Sequence, residues 1–465
     1  MPTTLSGQPQ RALAAARRTQ LPPRLLPVLY FGAAHVALAV AFAVVAVDPR
    51  GVSGFFYHPR LLGVVHLVTL GWITASILGA LYVVGPIALR VWIPATRLDY
   101  IAWALVFIGI TGMVAHFWIQ DYSGMAWSAG TVGAGILMVG ARVVPCLGAA
   151  ALPRAVSAHI VLAFVNVVGA TTMGVLLGFD KVYHFLPGYV LANVVAHAHF
   201  AVIGWASMMV VGIGYRLLPM VLPAEMPRGR TLYASAILLE AGAIGLFITL
   251  MLRSRWVAVF AAVTVAGLVA FIAHAAAMLK RRRPRPPDLP AVDYAGRHAG
   301  LALGSLAVAA ALGMVLALSE PSDLTMRMAL AYGVFGLVGF LAQMVAGMQL
   351  RLLPLLAWYS AAHRAAAPES LPSMSVLSAT PLAGAAWLLW LWGVPALATG
   401  FFAGVIPLLA GGALALEAAV AIGAIQAIRL ACHAFGRAGR LSCGHRDADP
   451  RRGAAQQPAV PTAQR

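Results

Sequence analysis

Two histidines, His197 and His199, stand at the start of one long apolar run, and a third, His66, stands near the start of another. Residues 197–219 read HAHFAVIGWASMMVVGIGYRLLP, and residues 64–86 read VVHLVTLGWITASILGALYVVGP. A neutral imidazole is a good ligand for heme iron, copper or zinc. Ionisable side chains are costly at membrane depth and mark functional sites there. These histidines are therefore candidates for binding heme iron or a metal ion.

The spacing of the histidines limits how they can act. Residues two apart on a helix point about 200° apart, so His197 and His199 cannot both bind one metal ion. Two histidines at the same depth on neighbouring helices can hold a heme between them, and His66 with His199 fits this arrangement. The alternative is that each imidazole only forms a hydrogen bond, with a backbone carbonyl or with a hydroxyl such as that of Thr69.

The composition predicts the elements that must carry these side chains. Of the 465 residues, 61% are hydrophobic and 10% are charged, and the mean hydropathy is +0.86, which indicates a polytopic membrane protein. Apolar runs of about 20 residues span a bilayer as helices. The fold class expected is all-α, with about 12 transmembrane helices. Their approximate extents are 25–47, 60–86, 98–119, 125–145, 154–178, 185–214, 231–252, 256–279, 298–318, 325–350, 376–395 and 399–428.

A third copy of the element, YGVFGLVGFLAQMVAGMQLRLLP at 332–354, indicates an internal repeat. Gly71, Gly204 and Gly339 align without gaps and are separated by 133 and 135 residues (204 − 71 and 339 − 204). Each interval contains four predicted helices. This predicts three pseudo-repeats of four helices within one membrane domain at 21–433, and it disfavours transporters built from two halves of six helices. The alternative is that glycines recur only because they let membrane helices pack closely. The repeat units are about 21–150, 151–290 and 291–433.

Basic residues lie in alternate loops, so the net charge of +18 indicates membrane topology and not nucleic-acid binding. The positive-inside rule then places both termini in the cytoplasm. Residues 1–20 and 434–465 are polar and expected to be disordered cytoplasmic segments. Cys146, Cys432 and Cys443 fall near the cytoplasmic side, where thiols stay reduced. We therefore expect no disulfide.

One motif resembles a known family. His197, His199, Gly204 and Trp205 form the pattern H-x-H-x-x-x-x-G-W, and Tyr215 and Pro219 follow ten and fourteen residues after the Trp. This resembles the heme-ligating helix of subunit I in the heme-copper oxidase superfamily, especially cbb-type oxidases and nitric oxide reductases. Subunit I also has twelve helices in three arcs of four. The resemblance therefore covers the architecture of residues 25–430.

The resemblance implies a cofactor, roles and partners. His66 and His199 would be the axial ligands of a low-spin heme b, and His197 would match the ligand of the heme that binds oxygen or nitric oxide. It further implies respiratory electron transfer or reduction of one of these gases in a bacterial-type inner membrane. The partners implied are the lipid bilayer, a cytochrome c or quinol electron donor, and other subunits.

The chain departs from the family pattern at two points. The family carries the H-x-H motif on its tenth helix, whereas here it lies on the sixth. The adjacent histidine pair that binds copper is absent from the seventh segment, LYASAILLEAGAIGLF, so copper, and with it an enzymatic activity of the oxidase type, stays open. His116, with His58 and His184 in outer loops, is the candidate for a second metal site. The alternative function is a membrane transporter or metal-handling permease that uses the same histidines and Glu240.

Overall fold

The computed structural model describes residues 22–148, 152–284, 292–362 and 381–435. Twelve helices in these ranges are long and apolar enough to cross a bilayer, which confirms the expected all-α membrane fold. The last helix continues to Phe435; residues 1–20, Cys443 and the rest of the predicted tail lie outside the described ranges. We label the helices α1 Leu25–Val47, α2 Pro59–Leu89, α3 Arg97–Ile119, α4 Tyr122–Gly148, α5 Arg154–Tyr183, α6 Val190–Val221, α7 Leu232–Met251, α8 Val257–Lys280, α9 Tyr294–Leu318, α10 Asp323–Ala361, α11 Pro381–Ala403 and α12 Ile406–Phe435.

The three helices that carry the repeated element, α2, α6 and α10, form the centre of the bundle and contact one another. Within its most apolar window, 72% of α2 is buried, compared with 17% of α9. The peripheral helices present large apolar side chains outward, as lipid requires; Trp127 is 72% exposed. We call one end of the bundle the outer end, because charge patterning predicts that it faces away from the cytoplasm.

Each central helix changes from α-helical to π-helical geometry partway along its length. The shared π-helical segments are Leu67–Thr74 in α2, Phe200–Ser207 in α6 and Val334–Ala342 in α10; α2 has a further one at Gly85–Leu89. The gapless alignment of the three sequence copies equates these stretches almost residue for residue. Wider turns of this kind are rare and often accompany functional sites. The shared distortion therefore supports the three-unit interpretation.

The recurrent glycines let each central helix pack tightly on the helix that precedes it. A Cβ added at Gly71, Gly204 or Gly339 would lie within 3.0 Å of a side chain of α1, α5 or α9. The second set, Gly79, Gly212 and Gly347, faces the same helices farther along. The contacts follow one register: the first set meets Ala37, Asn166 and Ser305, and the second set meets Tyr30, His159 and His298.

This register assigns the histidines in the first helix of each unit. Tyr30, His159 and His298 occupy equivalent positions, whereas His35 lies more than one turn farther along its helix. His159 is fully buried, and its Nε2 lies 3.0 Å from the Ser235 Oγ. His35 Nδ1 donates to the carbonyl oxygen of Phe31 at 2.8 Å. His35 and His159 therefore both act as hydrogen-bonding groups between or within packed helices.

Candidate functional site

The central helices are joined by a repeated contact. The Trp205 indole N–H of α6 donates to Thr74 Oγ1 of α2 at 3.0 Å. The equivalent Trp72 of α2 donates to the carbonyl oxygen of Ala342, the α10 residue that aligns with Thr74, at 3.1 Å. An aromatic residue of one unit therefore contacts the same position of the preceding unit, in cyclic order. The aromatic residue that completes the set in α10, Phe340, has no N–H to donate.

The layer of the H-x-H motif follows the same cyclic order. His197 of α6 and His66 of α2 line one cavity. Tyr332, which aligns with His197, donates its hydroxyl proton to His199 Nε2 at 3.2 Å, and the two rings stack with centroids 5.8 Å apart. In both cases the first position of the motif, His197 or Tyr332, lies near the second position, His66 or His199, of the preceding unit. We call these pairs the 6–2 junction, formed by His197 and His66, and the 10–6 junction, formed by Tyr332 and His199.

The 6–2 junction is open. Helices α2 to α6 enclose a cavity of about 220 Å³ behind the two histidines, with part of α10 as its floor. This exceeds the roughly 150 Å³ of an engineered apolar cavity that binds benzene. Polar lining side chains are few, as in most small-molecule sites. The apolar wall includes Leu62, Met113, Phe117, Ile136, Val167 and Leu341, and the polar side chains include Thr69, Thr74, Thr171 and Trp205.

His66 presents an oriented ring to this cavity. Its Nδ1 donates to the carbonyl oxygen of Leu62 at 2.7 Å, which leaves Nε2 as the lone-pair nitrogen. Phe117 packs against the ring with centroids 5.1 Å apart. A carbonyl that holds one nitrogen while the other stays available is the usual support of a metal-ligating histidine.

His197 enters the cavity from the opposite wall. Its ring lies beside the backbone carbonyl of Ala170 and against Gly174, where an added Cβ would be 3.2 Å from the imidazole Cε1. Its Nδ1 is buried and has no hydrogen-bond partner among the described residues. A buried polar atom without a partner is costly and signals either strain or a missing ligand.

The predicted pairing of His66 with His199 does not occur. His199 Nδ1 donates to the carbonyl oxygen of Val195 at 2.8 Å, and its Nε2 accepts from Tyr332, so both nitrogens are engaged. The sequence alignment equates His66 with His199, but the described contacts do not join these two residues. Contact across a junction joins the two different positions of the motif instead.

The expected second metal site is not assembled by its candidate residues. His116 Nδ1 lies 3.3 Å from Ser128 Oγ, and its Nε2 is 3.7 Å from an Asp121 carboxylate oxygen; it does not line the cavity. His58 precedes α2, and His184 ends α5 in a left-handed conformation with φ of 51°. Among the described residues, no group of three or more His, Cys, Asp or Glu side chains is arranged to hold a metal ion.

Sequence reasoning missed the cation at the mouth of the cavity. Lys181 lines the cavity near the end of α5, together with Tyr57 and Tyr122. Burial, with the negative charge of Asp180 nearby, raises the pKa of Tyr57 to about 12, so this phenol is neutral at physiological pH. The sequence shows a Lys just after an apolar segment, but it does not show that this side chain lines a cavity.

Glu240, a candidate for proton or substrate coupling, lies in a polar contact between three helices. Asn166 of α5 donates to Glu240 Oε2 of α7 at 2.7 Å and to the carbonyl oxygen of Gly204 in α6 at 3.1 Å. Gly204 belongs to the π-helical segment, where carbonyl groups are displaced from their usual acceptor role. Glu240 does not line the cavity, and its contact joins α5, α6 and α7.

The chain matches no family model and no curated protein. Its most distinctive feature is one apolar cavity that is lined by two imidazoles from neighbouring central helices and by the cation Lys181.

Proposed function

We propose that this protein is a heme-binding membrane protein in which His66 and His197 hold heme b within the cavity of the 6–2 junction. The observation that carries the proposal is the convergence of two imidazoles, from different helices, on a single apolar cavity. The donor set fits heme, since paired histidines are common axial ligands and an apolar pocket is the usual surrounding. Bound heme would supply one-electron transfer.

The residues of the chain have distinct roles in this proposal. The Leu62 carbonyl orients His66, and the wall of α5 at Ala170 and Gly174 positions His197. The apolar wall excludes water, which favours a bound porphyrin over a solvated one.

The wider setting follows as part of the same proposal. The protein is a divergent relative of heme-copper oxidase subunit I and transfers electrons in a bacterial-type inner membrane, with both termini in the cytoplasm. A cavity near the outer end suits an electron donor at that face, such as cytochrome c, or a quinol from the bilayer. Copper chemistry is not part of the proposal, because no copper-binding histidine pair accompanies the site.

The test is the absorption spectrum of the purified full-length protein and its variants, produced with ample heme. Wild type is expected to show a Soret band and b-type bands on reduction. His66→Ala and His197→Ala should each lose the low-spin spectrum and most of the bound heme. His199→Ala is the matched control, and it should keep the spectrum because Tyr332 already occupies its Nε2.

Two results would overturn the proposal. One is a wild-type protein that stays colourless after incubation with hemin. The other is a bound heme whose spectrum is unchanged in both His66→Ala and His197→Ala. A loss in His199→Ala together with retention in His197→Ala would restore the ligand pair expected from the sequence.

A membrane permease is the second candidate, and the observation that favours it is Glu240 inside α7. An acid at membrane depth is costly, and in transporters it commonly couples protons to substrate. Uptake of metal ions into cells or vesicles that contain the protein tests this function. Under this alternative, Glu240→Gln abolishes uptake and the purified protein carries no heme.

A further inference from the structure

The mouth of the cavity contains a positive charge without a counter-ion. Lys181 Nζ lies 4.4 Å from the ring centroid of Tyr57 and 4.9 Å from that of Tyr122. The negative face of an aromatic ring attracts an ammonium group, but it does not neutralise the charge. Within the described part of the chain, no carboxylate forms an ion pair with Lys181.

The nearest acids are engaged elsewhere. Asp180 is buried, and its Oδ1 accepts the backbone N–H of Leu186 at 2.6 Å. Asp121 accepts the backbone N–H of Gly124 at 3.1 Å and lies beside His116. Both carboxylates therefore serve the turns that contain them, and neither supplies the anion that the ammonium group lacks.

Arg60 shows how an outer cation looks when its charge is matched. Its guanidinium donates to Asp48 Oδ2 at 2.6 Å and lies over the ring of Trp118. It does not line the cavity. Lys181 differs in both respects, because its charge is unmatched and its side chain lies at the opening of a site for an organic molecule.

We propose that Lys181 binds a carboxylate of the molecule that His66 and His197 hold. The inference rests on the proposed function. The cavity suits an amphipathic anion, with a flat apolar body between the imidazoles and an acid group at the mouth. In heme b the acid groups are the two propionates, which would then point to the outer end. The Lys side chain is long and flexible enough to leave the tyrosine faces for a carboxylate.

Binding of two porphyrins to heme-depleted full-length protein tests the inference. Hemin has both propionates, whereas hemin dimethyl ester has the same apolar body without the charges. We expect wild type to bind hemin about tenfold more tightly than the ester, the range of a partly shielded ion pair. Lys181→Gln should bind hemin about tenfold more weakly, and should bind hemin and the ester equally. Affinity is read from the Soret band during titration.

Two variants complete the design. Lys181→Arg keeps the charge and should keep the preference for hemin. Arg60→Gln removes an outer positive charge that does not line the cavity, and it should bind both porphyrins as wild type does. The comparison of hemin with its ester in wild type needs no variant to fold.

The outcomes separate this inference from the function on which it rests. If wild type binds both porphyrins equally, or if Lys181→Gln keeps the preference, the role of Lys181 is wrong while heme binding stands. If wild type binds neither porphyrin, the proposed function is wrong and the inference fails with it.

Discussion

His199 shows how one hydroxyl can decide whether an imidazole is available to a ligand. At the 10–6 junction Tyr332 donates to its Nε2, whereas at the 6–2 junction the equivalent first position is His197. A tyrosine closes the first contact with a hydrogen bond, and a histidine leaves the second open to a shared ligand. The two junctions have the same frame and differ in this one side chain.

Substituting Tyr332 with Phe tests this account at the residue scale. The change leaves His199 Nε2 without its donor, and we expect the free energy of unfolding to fall by roughly 0.5–1.5 kcal/mol. Thermal unfolding in detergent measures it, and the spectrum of bound heme should not change. Tyr100→Phe, at a hydroxyl without a described hydrogen bond, is the control. Equal stability of the two variants would contradict the closed junction.

The types of the candidate residues could be predicted from the sequence, but their pairing could not. Histidines within apolar segments stand out because an ionisable side chain is energetically costly in the bilayer. The opposed directions of His197 and His199 follow from helix geometry. Which helix each ring meets depends on how the central helices are rotated, and local sequence does not encode that rotation. Lys181 was missed because the local sequence does not encode the rotation of α5 either.

At the scale of elements, the glycines of the central helices govern how closely each unit packs. A Cβ at Gly212 would lie 2.5 Å from the Cβ of His159, so the helices would have to separate. Gly212→Ala should therefore destabilise the protein by about 1–3 kcal/mol. Gly304→Ala in α9, where an added Cβ meets nothing within 4 Å, should be neutral or stabilising by up to about 1 kcal/mol.

Unfolding of the two variants in the same detergent provides the measurement. Equal effects of Gly212→Ala and Gly304→Ala would show that the recurrence of glycine has another cause. If the protein binds heme as proposed, folded Gly212→Ala protein is expected to retain it, because Gly212 lies beyond the lining residues of α6 and does not line the cavity.

Near the C-terminal ends of α2 and α6, the first two units place different polar groups at equivalent positions. In the first unit Tyr82 donates to the buried carboxylate of Asp99 at 2.8 Å, and Arg142 is 3.1 Å from the same group. In the second unit the aligned Tyr215 lies 2.9 Å from the Ser235 hydroxyl and 3.3 Å from His274 Nδ1. A cluster that contains a carboxylate and a guanidinium is thus replaced by one of hydroxyl and imidazole groups.

Helix number and approximate position were predictable because lipid demands long apolar runs. The limits were less so. The tenth segment was expected at 325–350, but α10 spans Asp323–Ala361 and contains Pro354. Hydropathy indicates only the part of a helix that lies in the apolar layer, and the helix can continue beyond it. A helix can also continue through a proline, because neighbouring groups satisfy the backbone carbonyl that loses its hydrogen bond.

For the whole molecule, the cyclic contacts of the central helices are the feature that joins the three units. Trp205→Phe removes the N–H that reaches Thr74, and Thr74→Val removes the acceptor. In a double-mutant cycle the pair should show a coupling energy of about 0.6 kcal/mol, the average for polar contacts between membrane helices. The control is a second cycle that combines Trp127→Phe with Thr74→Val, because Trp127 is exposed and does not contact Thr74. A coupling near zero for the central pair would contradict the contact.

The third junction, between α2 and α10, has no polar side chain at its two motif positions. Its two motif positions are Val64 and Val334, both buried. Because the backbone of the unit is repeated, this junction offers a ready frame for protein engineering. Replacing both valines with histidine would test whether a second pair of facing imidazoles can be built there, beside the first and in the same chain.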